Sequence, residues 1–159
     1  MTRTSLDHHN CSFARTVDVI GDRWSLMILR DAFFGIRRFS QFKRRLGITQ
    51  AVLSSRLSHL IEQGLLERSA VDSDATREDY RLTDKGRALF PVVVALMQWG
   101  DEWVHGGIGA PLVLRDRESG EAIDPVQVTA AGSVTGPRRV VVTAGPGATP
   151  ETRRLVAQT

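Results

Sequence analysis

The chain of 159 residues has a single cysteine, Cys11, a single tyrosine, Tyr80, and only two lysines, Lys43 and Lys85. One thiol excludes an internal disulfide framework and any zinc site built from several thiolates. His8, His9 and Cys11 are metal-ligand types. Adjacent histidines point different ways, however, and no fourth ligand stands beside them, so neither a metal nor a cofactor is expected. The longest unbroken apolar run, Val92 to Met97, has six residues, whereas about 20 are needed to span a bilayer. No charged-then-apolar leader is visible, and the sequence predicts a cytoplasmic protein with no membrane partner. Catalytic signatures are missing as well. There is no glycine-rich phosphate loop and no Ser, His and Asp set at a recognisable spacing, and His8, His9, His59 and His105 fall on termini or polar faces. An enzyme is not expected.

The chain is 42% apolar and 25% charged, as in ordinary globular domains. Its net charge is only +3, from 21 Lys and Arg against 18 Asp and Glu, but the distribution is uneven. Between Ile36 and Arg68 seven cations (Arg37, Arg38, Lys43, Arg44, Arg45, Arg56 and Arg68) face only Glu62 and Glu67, a local excess of five. Such a segment suits phosphate; that most of its cations are arginine fits bidentate phosphate contact and codon bias equally well.

Apolar spacing predicts the helices. Phe13, Val17 and Ile20 lie one turn apart on a helix from Ser12 to Ile20, stopped by Gly21. Trp24, Ile28, Leu29, Ala32 and Phe33 repeat the pattern up to Gly35. Ser40 is placed to cap a short helix through Leu46, and Gly47 to break it. Thr49 caps the next, Gln50 to Gln63, which has a narrow seam of Leu53, Leu57 and Leu60 and a polar opposite face. Leu65 to Ser69 and Tyr80 to Leu82 are strand-like and flank an acidic, turn-rich stretch from Val71 to Asp79.

Thr83 and Asp84 open a long helical segment to about Val104, bent or restarted at Pro91. It carries two apolar stripes. One holds Leu89, Val93, Leu96 and Met97, and the other Val92, Leu96, Trp99 and Trp103, more apolar surface than the edge of a small domain buries alone. Five of the six prolines come after His105, where glycine-rich turns and β-branched runs begin. Leu112 to Leu114, Ile123 to Val128 and Val140 to Thr143 are candidate strands.

The predicted fold class is mainly α with a small β wing, a winged helix-turn-helix, followed by a short β-rich C-terminal appendage. The expected organisation is a flexible N-terminus (1–10), a DNA-binding and dimerisation domain (11–105), a small β-rich extension without metal ligands (106–144), and a linker with a tail of low order (145–159). In a winged helix the second helix of the helix-turn-helix enters the major groove.

Several stretches then identify a family: Cys11; Gly21-Asp22-Arg23-Trp24-Ser25-Leu26-Met27-Ile28-Leu29; Arg38-Phe39; Leu53-Ser54-Ser55-Arg56-Leu57; Gly64-Leu65-Leu66-Glu67-Arg68; and Tyr80-Arg81-Leu82-Thr83-Asp84-Lys85-Gly86. In this order and spacing, over about residues 11 to 104, the chain closely resembles the HxlR family of bacterial transcriptional regulators, relatives of the MarR-type winged helices. The resemblance implies an obligate homodimer on a near-palindromic operator of double-stranded DNA. It places Thr49 to Gln63 as the recognition helix and Val71 to Asp79 as the wing.

On that placement Thr49, Gln50, Ala51, Val52, Ser55 and His59 are the candidate base contacts. Gln50 is able to pair with adenine, and Ala51 or Val52 to pack on a thymine methyl. Arg37, Arg38, Ser40, Lys43, Arg44, Arg45 and Arg77 are the candidate phosphate contacts. Asp72, Asp74, Glu78 and Asp79 surround Arg77 where the family commonly carries prolines, and four carboxylates there would repel DNA. Phe13, Val17, Val92, Leu96, Trp99 and Trp103 are the candidate dimer interface. Cys11 stands where redox- and electrophile-sensing members carry a cysteine. It is either a thiol sensor, answering an oxidant or small-molecule inducer, or a small buried apolar residue. The segments at Arg115 to Gly120 and Val128 to Gly132 resemble knuckles that hold cysteines in extended members, with Ser, Thr and Ala in the ligand places. The alternative function is a winged-helix module for protein interaction or small-molecule binding, with little DNA affinity.

Overall fold

The computed structural model describes residues 5–6, 8–71, 74–105, 107 and 109–158, the side chains of 71–77 excepted. Helices α1 (Ser12–Ile20) and α2 (Arg23–Phe33) meet at Gly21 and Asp22. The Asp22 carboxylate caps α2, accepting the Trp24 and Ser25 N–H groups at 3.0 and 3.1 Å and so satisfying donors that a helix start leaves open. Helix α3 (Phe39–Leu46) ends at Gly47, whose φ of +63° turns the chain out of the helix at no steric cost. Helix α4 (Gln50–Glu62) starts from Thr49, whose hydroxyl accepts the Val52 N–H. Strands β1 (Leu66–Val71) and β2 (Asp74–Leu82) form the antiparallel wing, with Leu66 opposite Leu82 and Arg68 opposite Tyr80. Pairing runs on to Val71 and Asp74, further than the alternation of apolar residues predicts.

The core follows the periodic positions. Ile28 and Leu29 of α2, Phe42 of α3 and Leu53, Leu57 and Leu60 of α4 are fully buried, joined by Leu65, Leu66 and Tyr80 from the wing base. The Phe42 and Tyr80 rings meet edge-on at 6.4 Å, an orientation that aromatic quadrupoles favour. The Tyr80 N–H donates to the Arg37 carbonyl at 2.8 Å, tying the wing to the segment before α3.

Pro91 restarts the long C-terminal helical segment. Helix α5 (Asp84–Arg87) is a single turn capped by the Thr83 hydroxyl, and α6 (Phe90–Trp103) begins with Pro91 in its first turn, where a missing N–H costs nothing. Gly86 is buried under the wing base. A Cβ there would lie 2.1 Å from the Leu65 carbonyl oxygen, and that oxygen already accepts the Thr83 N–H at 3.1 Å. Gly86→Ala is therefore expected to destabilise the protein by about 3 kcal/mol, the upper end for overpacking. Urea denaturation would show this as a lower midpoint, and an unchanged midpoint would mean that the wing base yields freely.

Three expectations are corrected. Ser40 does not cap α3: Arg38 holds the cap position, and Gln41 Oε1 accepts the Arg38 N–H at 3.2 Å. The candidate strands 112–114, 123–128 and 140–143 do not form. The pairing in the extension is confined to β3 (Thr129–Ala130) with β4 (Ser133–Val134) and a bridge between Arg115 and Ala122. Prolines at 111, 125 and 137 remove donors around those runs, and a β-branched run without a partner strand has no ladder to join. Residues 150–156, expected in a linker and tail of low order, form helix α7 (Pro150–Val156), capped by the Thr149 hydroxyl.

The appendage is tied down at both ends. Gln98 on α6 donates to the Asp124 carbonyl at 3.0 Å and accepts the Val126 N–H at 2.8 Å. The Asn10 side chain donates to the Gly147 carbonyl and accepts the Thr149 N–H and the Thr152 hydroxyl. In the first knuckle-like segment, Asp116 accepts the Ser119 N–H, the Ser119 hydroxyl and the Glu118 N–H. Led by the Ser119 N–H, these donors hold its carboxyl below the usual aspartate range.

Candidate nucleic-acid interface

The geometry of α4 follows from its seam. With Leu53, Leu57 and Leu60 buried, the opposite face is open, and Thr49, Gln50, Ala51, Ser54 and Ser55 are exposed around the helix start. Ser54 and Ser58 are the residues that the candidate list lacks. At 100° per residue Ser58 lies about 20° from Ala51 and Ser54 about 60°, against about 40° for Ser55, and that angular arithmetic was the available signal. Val52 is half-buried and packs against the core.

His59 departs from its expected place. Its Nε2–H donates to the Val19 carbonyl of α1 at 2.9 Å, on the flank of α4 turned toward α1. Arg56, on the same flank, stands 3.6 Å from the Asp22 carboxylate. The two side chains fasten α4 to the α1–α2 corner rather than extending its open face.

The candidate phosphate contacts also divide. Arg37, Arg38, Ser40, Lys43 and Arg44 are exposed, and none of these four cations has an ion pair among the described residues. Arg45 differs, since its Nε donates to Asp31 Oδ2 at 3.2 Å while Arg30 holds Oδ1 at 2.6 Å. Asp31 is fully buried, and a carboxylate there needs both partners to offset its lost hydration. Arg45 is thus a strut between α2 and α3, a role that charge counting cannot distinguish from a phosphate contact.

The Arg77 side chain, with those of Asp72 and Asp74, lies outside the described residues. The other two wing acids differ from each other. Glu78 pairs across the strands with Arg68 at 3.6 Å, and Asp79 is half-buried with Oδ1 shielded from water. Glu78 is thus opposed by a cation, whereas the shielded Asp79 Oδ1 has no hydrogen-bond partner among the described residues.

On α6, Val93 and Val94 are buried while Val92, Leu96, Trp99 and Trp103 are exposed, the tryptophans at 60% and 67%. Phe13 on α1 is 77% exposed, and Val17 is half-buried. Cys11 precedes α1 and is exposed, contrary to the reading of it as a small buried residue.

The comparisons agree with this architecture. A family model described as HxlR-like helix-turn-helix matches residues 19–107. An HTH-type transcriptional regulator of Mycobacterium tuberculosis is 47% identical over 137 residues, covering 86% of this chain and 87% of the relative. The crystal structure of PA1607, a candidate transcription factor, superposes with a TM-score of 0.84 at 40% identity over 89% of this chain and all of the other. The redox regulator HypR in its oxidised form superposes with a TM-score of 0.53 at 33% identity, over 57% of this chain and 94% of HypR. These relatives are transcriptional regulators rather than enzymes, and no helix among the described residues is long and apolar enough to cross a membrane. The chain belongs to the HxlR family of helix-turn-helix transcriptional regulators.

Proposed function

We propose that the protein is a cytoplasmic homodimer that reads a near-palindromic operator. The start of α4 would enter the major groove, and Arg37, Arg38, Lys43 and Arg44 would grip the flanking phosphates. The observation that carries this reading is the open tip of α4 beside four cations that have no ion pair among the described residues. Thr49, Gln50, Ala51, Ser54 and Ser55 are the base-reading set, with Val52 at its edge. Ser40 adds a hydroxyl at the α3 start, Arg77 serves as the wing contact, and Arg45 and His59 act by holding the helices in place. Operator selection followed by substitution tests the assignment. Gln50→Ala is expected to cost roughly 1 to 3 kcal/mol on the cognate sequence and to relax preference at one position per half-site. Lys43→Ala is expected to weaken cognate and random DNA alike. Equal losses on both DNAs for Gln50→Ala would contradict base reading.

A thiol response through Cys11 is a second element of the proposal, supported by the exposure of the thiol and the likeness to HypR. With no second cysteine in the chain, oxidation has to link two subunits or form a mixed disulfide with a small thiol. Either event beside α1 would displace one subunit against the other and alter the spacing of the recognition helices, which must stay near one DNA turn, about 34 Å. Diamide is expected to lower operator affinity in the wild type and to leave Cys11→Ser unaffected, as measured by fluorescence anisotropy. An equal response in both proteins would make Cys11 a structural residue.

A further inference from the structure

From residue 107 onward no described residue is buried. This part of the chain has no core of its own, although Val128, Val134, Val140, Val141 and Val142 are all more than half exposed, Val141 at 82%. The Val141, Val142 and Thr143 N–H groups also meet no acceptor among the described residues. Open donors on a β-branched run are an edge to which another backbone adds.

Two tethers set where this surface lies. Gln98 holds the Asp124 carbonyl and the Val126 N–H at 3.0 and 2.8 Å, and it immediately precedes exposed Trp99. Asn10 accepts the Thr149 N–H at 3.0 Å and stands three residues before exposed Phe13. The extension is therefore fastened beside each of the two helices that carry exposed aromatics, yet it leaves Phe13, Trp99 and Trp103 of its own chain open.

Size and charge select a second copy of the chain as what covers it. Phe13, Val92, Leu96, Trp99 and Trp103 together expose roughly 600 Å² of apolar side chain, whereas an obligate dimer buries about 1,000 Å² or more from each subunit. The valines of the extension supply the difference. Its charge is divided as well: residues 109–135 carry two arginines against four acids, and residues 136–158 carry four arginines against Glu151 alone. A twofold interface makes each contact twice, residue i on j and j on i, so an acidic half opposite a basic half is satisfied reciprocally.

We infer that the extension is an inter-subunit strap, its valines at 128 and 140–142 packed on the other copy of the chain beside the α1 and α6 stripe. This rests on the proposed homodimer, to which it adds a second part of the interface.

The experiment uses the full chain with Val141 replaced by photoreactive p-benzoylphenylalanine, mixed with unmodified full chain labelled with ¹⁵N. Once native mass spectrometry shows mixed dimers, the sample is irradiated and digested. Light peptides spanning position 141 are expected to be joined to heavy peptides from α1, α6 or the extension. Crosslinks within light chains only, from a sample that contains mixed dimers, overturn the strap. Val141→Asp and Val128→Asp lie at positions open to water in the single chain, so each should fold, as an unchanged circular dichroism spectrum would show. Each is expected to raise the dimer dissociation constant at least tenfold by sedimentation, and an unchanged constant in both overturns the strap. A wild type that sediments as a monomer refutes the homodimer and the strap with it, whereas a stable dimer with light-chain crosslinks alone refutes only the strap.

Discussion

Replacing Trp99 and Trp103 together by alanine is expected to turn the proposed dimer into monomers and to abolish operator binding. Both indoles lie on the outer stripe of α6, with Val92 and Leu96 on the same face and Phe13 exposed on α1. Apolar surface of this extent on an exposed helix face is the mark of an association site, and large aromatics are the residues on which such sites depend. Truncating one at the centre of an interface commonly costs about 2 kcal/mol or more. A twofold dimer would bury two from each subunit, about 8 kcal/mol in all, so even with strong non-additivity the dissociation constant should rise at least about 10⁴-fold. The inner side of α6 is packed through Val93 and Val94, so the monomer should stay folded. Analytical ultracentrifugation with circular dichroism checks both points, and an unchanged dimer would place the interface elsewhere.

Raising salt from 50 to 200 mM is expected to weaken operator binding about a thousandfold. A dimer offers two copies each of Arg37, Arg38, Lys43 and Arg44, and if about six of these eight neutralise phosphates the log–log slope should be near −5. Lys43→Ala, acting once in each subunit, should reduce that slope by about two units. Arg45→Ala should leave it nearly unchanged and lower stability instead, because its guanidinium is committed to Asp31. Fluorescence anisotropy titrations at several salt concentrations give the slopes directly. A slope near zero would favour a winged-helix module for protein or small-molecule partners, with little DNA affinity.

Much of the architecture was legible from local chemistry. Gly21, Gly47 and Gly64 punctuate the chain, the Leu53, Leu57 and Leu60 seam orients α4, and Asp22, Thr49 and Thr83 supply caps whose donors lie within three residues. The extension was less legible. Its β-branched runs have strand composition, but whether such a run becomes a strand depends on a partner backbone that no neighbouring residue reveals. The tail likewise gains its order from Asn10, well over a hundred residues away.

By itself the sequence determined the order of helices and wing, the buried seam, the basic segment and the open face of α4, because each depends on residues within a turn or two of one another. Which cations remain available was decided only by the tertiary structure. Arg45 and Arg44 are adjacent and chemically identical, yet one closes on buried Asp31 of α2 and the other stays open. His59 and Ser55 lie one turn apart on α4, yet His59 meets a carbonyl of α1. The reason is that a buried carboxylate or carbonyl draws the nearest donor regardless of its separation along the chain, and the unmet demand of such a group appears only when the helices pack.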